Sequence, residues 1–314
     1  MRAAITGGSK GIGLATARAL AREGCDIAIV ARDGATVAEA ADDLRSTYGV
    51  GVTEHVADLS RSSDQADLVR ELGVPDILIN NAGAIPHGDL WRVTDDVWRE
   101  AWDLKVFGYI NLIRLVMPGM IERGSGVVVN VIGAAAERHR PNYAAGASGN
   151  SALAALTEAL GSDSMRKGVR VVGVNPGLVA TERMPFLLRD QAQERWGDPE
   201  RWSELVPNDP PPANPEQIAD VVTFLASPRA GHVSGRVLTV DAGGACDDGG
   251  DPLYTDVEVG GDQGSSARMA GSVPAHPERT MIMTPTSMTR ATRCRPAAVR
   301  WSLPWISRRA PSTR

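Results

Sequence analysis

The sequence is poor in the residues that build metal centres and disulfide frameworks. Its three cysteines, Cys25, Cys246 and Cys294, form no CxxC pair and no cluster with histidine. Neither a metal site nor a cystine framework is expected, and a reduced, cytoplasmic setting fits best. Positive charge is not in excess: the formal net charge is −5, which gives no electrostatic reason to expect nucleic-acid binding. No apolar run reaches the length expected of a membrane span. The opening residues, MRAAITGGSKGIG, lead straight into a strand and a glycine loop, not into a signal sequence. What is present is an apolar content of 43%, enough for a sizeable core.

Short β-branched runs alternate with alanine- and leucine-rich amphipathic stretches. The pattern predicts strands at 3–6, 26–31, 51–57, 76–80, 126–131, 169–174 and 236–240. Helices are predicted near 12–23, 35–47, 62–72, 94–122, 144–166 and 215–226. Such alternation implies an α/β fold, a doubly wound, seven-stranded parallel sheet with helices on both faces. The expected organisation is one domain over 1–248 followed by a tail, 249–314, whose Gly, Ser, Thr, Pro and Arg content predicts disorder. Within the domain, 181–214 breaks the alternation with charges, two tryptophans and a proline cluster. A lid over a ligand or a plain surface insertion would each look like this.

The stretch AAITGGSKGIGLATARAL reads as strand, glycine loop and helix. Gly7, Gly11 and Gly13 let the backbone turn tightly and approach a pyrophosphate at a helix N-terminus, where unpaired N–H groups favour an anion. ADL (57–59), NNAG (80–83), NPGLVAT (175–181) and VDAGG (240–244) follow successive strands. In this order and spacing, the sequence resembles the short-chain dehydrogenase/reductase family across roughly residues 2–245. The resemblance implies a Rossmann sheet, oxidoreductase activity on a carbonyl or alcohol, and a bound nicotinamide dinucleotide. It places Thr6, Gly7, Ser9, Lys10, Gly11, Ile12 and Gly13 at the phosphates, and Asp58 and Leu59 at the adenine. Asn80, Ala82 and Gly83 fall along the ribose and central strand, with Pro176, Gly177, Val179 and Thr181 at the nicotinamide. The acid that holds a ribose 2′-hydroxyl in NAD-dependent Rossmann sites would fall at Ala31. Arg32 follows, and with Lys10 it favours a 2′-phosphate, hence NADP(H) over NAD(H), although Asp33 stands close by.

The family's proton relay uses serine, tyrosine, lysine and asparagine. Local pattern places these roles at Gly133, Gly146, Asn150 and Lys105. All four depart from the family, and asparagine and lysine stand exchanged. Three readings follow. A rearranged site would use Tyr143, one helical turn before Gly146, as proton donor, with Lys105, Asn150 and, in reserve, His139. Alternatively, the chain binds NADP(H) without catalysis, as a sensor or partner. In the third reading, the substrate supplies its own acid. Trp91, Trp98, Trp102, Trp196 and Trp202 suit an apolar or aromatic carbonyl substrate, or core packing equally well. The resemblance also implies a homotetramer or homodimer built on the helices 94–122 and 144–166.

Overall fold

Seven runs rich in valine, isoleucine and alanine form one parallel sheet, and the computed structural model describes its chain over residues 1–244. The strands are β1 (Arg2–Thr6), β2 (Asp26–Ala31), β3 (Val52–Val56), β4 (Ile77–Asn80), β5 (Gly126–Val131), β6 (Val169–Pro176) and β7 (Val237–Val240). Their order is β3-β2-β1-β4-β5-β6-β7. The order reverses between β1 and β4, which pair through Ala3–Ile77 and Ile5–Ile79. That reversal opens a crevice at the carboxyl ends of the strands, the place where open α/β sheets bind ligands. The expected tail, 249–314, lies outside the described residues.

Helices α1 (Gly11–Arg22), α2 (Gly34–Tyr48), α3 (Ser62–Leu72), α4 (Asp95–Trp102), α5 (Gly108–Arg123), α6 (Ala144–Ser164), α7 (Met184–Trp196) and α8 (Pro215–Ala226) supply the crossovers. One core gathers Ile5, Ile27, Ile29 and Ile79 with Leu20, Leu44, Ile218 and Val222 from α1, α2 and α8. The other gathers Val30, Leu78, Val128 and Val171 with Leu68, Leu112, Val116 and Met120 from α3 and α5. Side chains alternate across each strand, so both faces of the sheet are apolar and both are covered.

The single helix expected over 94–122 is interrupted. Asp103–Phe107, the sequence DLKVF, forms a π-helical turn between α4 and α5. Such turns insert a residue into the helical ladder and redirect side chains, and Lys105 stands inside this one. The continuous stretch Asp95–Arg123 contains an 18-residue window of mean hydropathy 1.4. Length and composition alone therefore do reach those of a membrane span, contrary to the sequence expectation. Its Leu112, Ile113, Val116 and Met120 are buried in the second core.

The segment 181–214 is folded. It forms α7 and a 3-10 stretch, Pro199–Leu205, around a small core of Leu188, Ala192 and Leu205. Trp196 and Trp202 belong to that core, and the Arg201 guanidinium lies 4.3 Å from the Trp196 ring centroid. The backbone closes the segment at its base, where the Ala180 amide donates to the Ala213 carbonyl and the Ala213 amide donates to the Leu178 carbonyl.

Candidate active site

The glycine loop between β1 and α1 is held from below by β4. Thr6 is buried; its hydroxyl accepts from the amides of Asn81 (2.8 Å) and Ala82 (3.0 Å). The Asn81 amide donates to the carbonyls of Thr6 (3.0 Å) and Gly7 (3.3 Å). Asn81 escaped the sequence reading, though the doubled asparagine of NNAG marked the position. Gly7 has a φ of 62°, and a Cβ on Gly13 would overlap the Gly7 carbonyl. The loop therefore packs backbone on backbone, and the first amides of α1 face the crevice beside Ser9 and Ile12. Thr181 closes the far side: a Cβ on Gly11 would stand 3.3 Å from its methyl.

Other expected cofactor positions divide into two groups. Asp58 binds the amide and hydroxyl of Ser60. Burial would raise its pKa, but the Ser60 hydrogen bonds and the charges of Arg32 and Arg61 outweigh it and lower the pKa. Arg32 is exposed at the end of β2. Asp33, beside it, is the N-cap of α2 and accepts from the Thr36 amide at 2.8 Å. Lys10 lies 3.4 Å from Glu182, both exposed. By contrast, Asn80 and Leu59 point inward. The Asn80 amide donates to Asn130, which donates to Thr157, a buried chain across β4, β5 and α6. Val179 is buried at the base of the 181–214 segment, next to Pro176 and Gly177 at the end of β6.

Beyond the loop, three side chains converge on three glycines. Tyr143 is the residue before α6, and its ring lies over Gly146: a Cβ there would overlap Cε1 and Cζ. Asn150, buried on α6, places its amide nitrogen 3.0 Å from where a Gly133 Cβ would be. Gly133 has a φ of 136°, a conformation that disfavours any side chain. The Lys105 stem fills the space beside Gly83, its Cδ 2.8 Å from the ideal Cβ position. Its ammonium donates to the Ile132 carbonyl at 2.5 Å. Lys105 is half-buried, and desolvation, reinforced by the charge of Arg183, lowers its pKa to about 7.

His139 is exposed, and its Nε2 lies 3.0 Å from both the Ala136 carbonyl and the Ser151 hydroxyl. Two residues unforeseen from sequence join the site instead. Arg183 donates from its two terminal nitrogens to the carbonyls of Gly83 and Ile85. His87 stacks on Tyr143, ring centroids 6.0 Å apart at 22°. Burial pushes its pKa below the ordinary value against the pull of Glu194, Asp190 and Asp89. A cavity of about 450 Å³ lies alongside, lined by Ile85, His87, Leu104, Arg183, Phe186 and Leu187 among others. No tryptophan lines it. Trp98 and Trp102 lie tilted against each other at 43°, with the Trp102 indole donating to the Ala145 carbonyl, and Trp91 is exposed.

The residues present fit a dinucleotide. Backbone-on-backbone packing leaves the loop no side chain to obstruct a pyrophosphate, and the buried Asn150 Oδ1 has no hydrogen-bond partner. No cluster of three or more potential metal ligands occurs among the described residues.

Known proteins share this fold and much of this sequence. Residues 1–192 match the family described as short chain dehydrogenase. Galactitol 2-dehydrogenase (L-tagatose-forming) of Cereibacter sphaeroides is 31% identical over 243 residues, covering 77% of this chain and 93% of that protein. L-Sorbose reductase from Gluconobacter frateurii, solved with NADPH and L-sorbose, superposes with a TM-score of 0.70 at 30% identity, covering 77% and 95% of the two chains. A 3-oxoacyl-[acyl-carrier protein] reductase from Brucella melitensis, solved with NAD, gives 0.67 at 27% identity, covering 77% and 90%. With its sheet order, glycine loop and strand-end motifs, the chain belongs to the short chain dehydrogenase family of oxidoreductases.

Proposed function

We propose that the protein is an NADP(H)-dependent oxidoreductase that interconverts a carbonyl compound and its alcohol at a rearranged proton-relay site. The observation that carries this reading is the filling of three glycine vacancies. Tyr143, Asn150 and Lys105 occupy the spaces over Gly146, Gly133 and Gly83. The amide and the ammonium stand at the end of β5, beside Gly133 and the Ile132 carbonyl, and the phenol ring lies over Gly146 on α6.

When bound, the nicotinamide supplies the hydride that the carbonyl carbon accepts. Tyr143 supplies the proton that the carbonyl oxygen gains, and takes it back in the reverse direction. Lys105 favours the phenolate that remains. Asn150 offers its buried, unpartnered Oδ1 to a ribose hydroxyl. Thr6, Gly7, Ser9, Gly11, Ile12 and Gly13 hold the phosphates, Asp58 the adenine, Ala82 and Gly83 the adenosine ribose side, and Thr181 the nicotinamide. The test is turnover of NADPH against a panel of ketones, aldehydes and alcohols. Binding of NADPH without turnover on any of them would leave a cofactor-binding partner or sensor as the better description.

Arg32 is exposed at the end of β2, and its acidic neighbour Asp33 is engaged as a helix cap. Arg32→Ala should weaken NADPH binding about 10-fold or more, since a charge-assisted hydrogen bond contributes roughly 1.5–3 kcal/mol. NADH binding should be nearly unchanged. Equal loss for both dinucleotides would show that Arg32 does not read the 2′-phosphate.

The domain is taken as 1–248, with 181–214 acting as its substrate lid. A chain ending at Asp248 should stay soluble and keep its NADPH affinity; insolubility would show that the remaining residues belong to the fold. Self-association to a homodimer or homotetramer is proposed through α4 to α6, where Phe107 and Leu115 are exposed.

A further inference from the structure

The site holds two cations side by side and gives neither of them a counter-charge. Lys105 and Arg183 are near enough that the charge of one depresses the pKa of the other. Lys105 is bonded to the Ile132 carbonyl, and Arg183 to the carbonyls of Gly83 and Ile85. Among the described residues neither forms an ion pair. The carboxylates that share the cavity, Glu100 and Asp190, also stand outside ion-pairing distance of both. Like charges gathered in a poorly solvated place are unfavourable unless something compensates them. Carbonyl oxygens orient a guanidinium but carry no net charge. One N–H on each terminal nitrogen of Arg183 is spent on them, and the remaining donors are available to a ligand. A guanidinium whose plane is fixed in this way is suited to a carboxylate, which it meets with two parallel bonds.

We propose that Arg183 is the recognition residue for a carboxylate carried by the substrate, so that the preferred substrates are oxo acids and their hydroxy-acid counterparts. This rests on the oxidoreductase reading above and names the substrate class of the same site. Two sources of anion meet at this end of the sheet, the substrate and the cofactor's phosphates. Position favours the substrate. The phosphate cradle lies across the loop from Thr181, which flanks Gly11, and Glu182, which pairs with Lys10. Two residues after Thr181, Arg183 reaches the loop leaving β4, where it donates to the Ile85 carbonyl. There it lines the cavity with Ile85, His87 and Phe186, a cavity that also takes in Arg32, Glu100 and Asp190. Ile85, Leu104, Phe186 and Leu187 give the body of a small oxo acid an apolar wall. His87 adds a polar group, for both its ring nitrogens are buried without partners.

The experiment is binding, measured by calorimetric titration on the full chain saturated with NADP⁺, which cannot reduce an oxo acid. The probes are pyruvate, 2-oxobutyrate and benzoylformate, each paired with its methyl ester. At least one acid should bind about 10- to 100-fold more tightly than its ester, the span of a charge-assisted pair. Arg183→Gln should erase that preference and leave NADPH affinity unchanged. Arg183→Lys should restore part of it, because an ammonium keeps the charge but not the two-pronged geometry. Unchanged NADPH affinity also shows that the variants fold. Equal binding of acid and ester throughout, or binding of neither, would overturn the proposal. So would a loss of NADPH affinity in Arg183→Gln with the acid preference intact, which would assign Arg183 to the cofactor's phosphates. Turnover of the same acids by the parent chain separates the two readings. A persistent acid preference in a parent chain that turns over none of them removes the oxidoreductase reading and leaves the carboxylate site standing.

Discussion

Tyr143→Phe is expected to lower turnover by about 10²–10⁴-fold, the contribution of a positioned general acid, while NADPH affinity stays unchanged. The expectation comes from where the ring lies. Tyr143 precedes the first turn of α6, with φ −138° and ψ 34°, so its side chain folds back along the helix onto Gly146. Gly146 is therefore part of the same device. Gly146→Ala would set a methyl group into Cε1 and Cζ of the ring, and the ring has to move. Its turnover should fall by a similar factor although no reacting group has been removed. Combining the two substitutions should cost little more than either alone, because both remove one function. A retained fold in Gly146→Ala is checked by its thermal transition. Full turnover in Tyr143→Phe would end the assignment of the phenol as proton donor. His87, stacked on that ring, or an acid on the substrate would then have to supply the proton.

How much of this was legible in the sequence depended on how local each signal was. Strands announced themselves through β-branched runs: β2 and β5 fall at the expected 26–31 and 126–131. The glycine loop was legible because its backbone packing is written in adjacent residues. Tyr143 and Gly146 could also be linked in advance, since three residues on a helix share a face. The π-helical turn at Asp103–Phe107 was not visible. It leaves the apolar periodicity almost unchanged and appears only when the helix has to pass the end of β5. Arg183 was missed for a different reason. It sits in a charged segment, and its meaning comes from carbonyls in the loop after β4, at separations of 98 and 100 residues. His87 likewise gains its role from a ring far along the chain. The tryptophans left a pocket wall and core packing equally open. Large aromatic residues in a lid-like segment suggest a pocket wall, yet Trp196 and Trp202 are needed to give that segment a core of its own.

Lys105→Met tests the electrostatic half of the site through two pH profiles. In the folded chain Lys105 releases its proton near pH 7, against an ordinary lysine value of 10.5. Between those values the unfolded chain binds more protons than the folded one, so stability rises with pH across that window. Below pH 7 the folded state carries the desolvated ammonium and its full cost, on the order of a few kcal/mol. Lys105→Met removes the charge and keeps an unbranched stem to fill the space beside Gly83. The variant should therefore be more stable than the parent at pH 6, and the two should converge by about pH 10. Activity should move the other way. The ammonium is the form that favours phenolate, so parental turnover should decline as pH rises through about 7. The variant should lose about 10²–10⁴-fold at pH 6 and show no such decline. Together with Tyr143→Phe its loss should be less than additive, because ammonium and phenol act on one proton. A variant that is stabilised at low pH yet keeps parental turnover would show that Lys105 is a strut under Ile132 and takes no part in the relay.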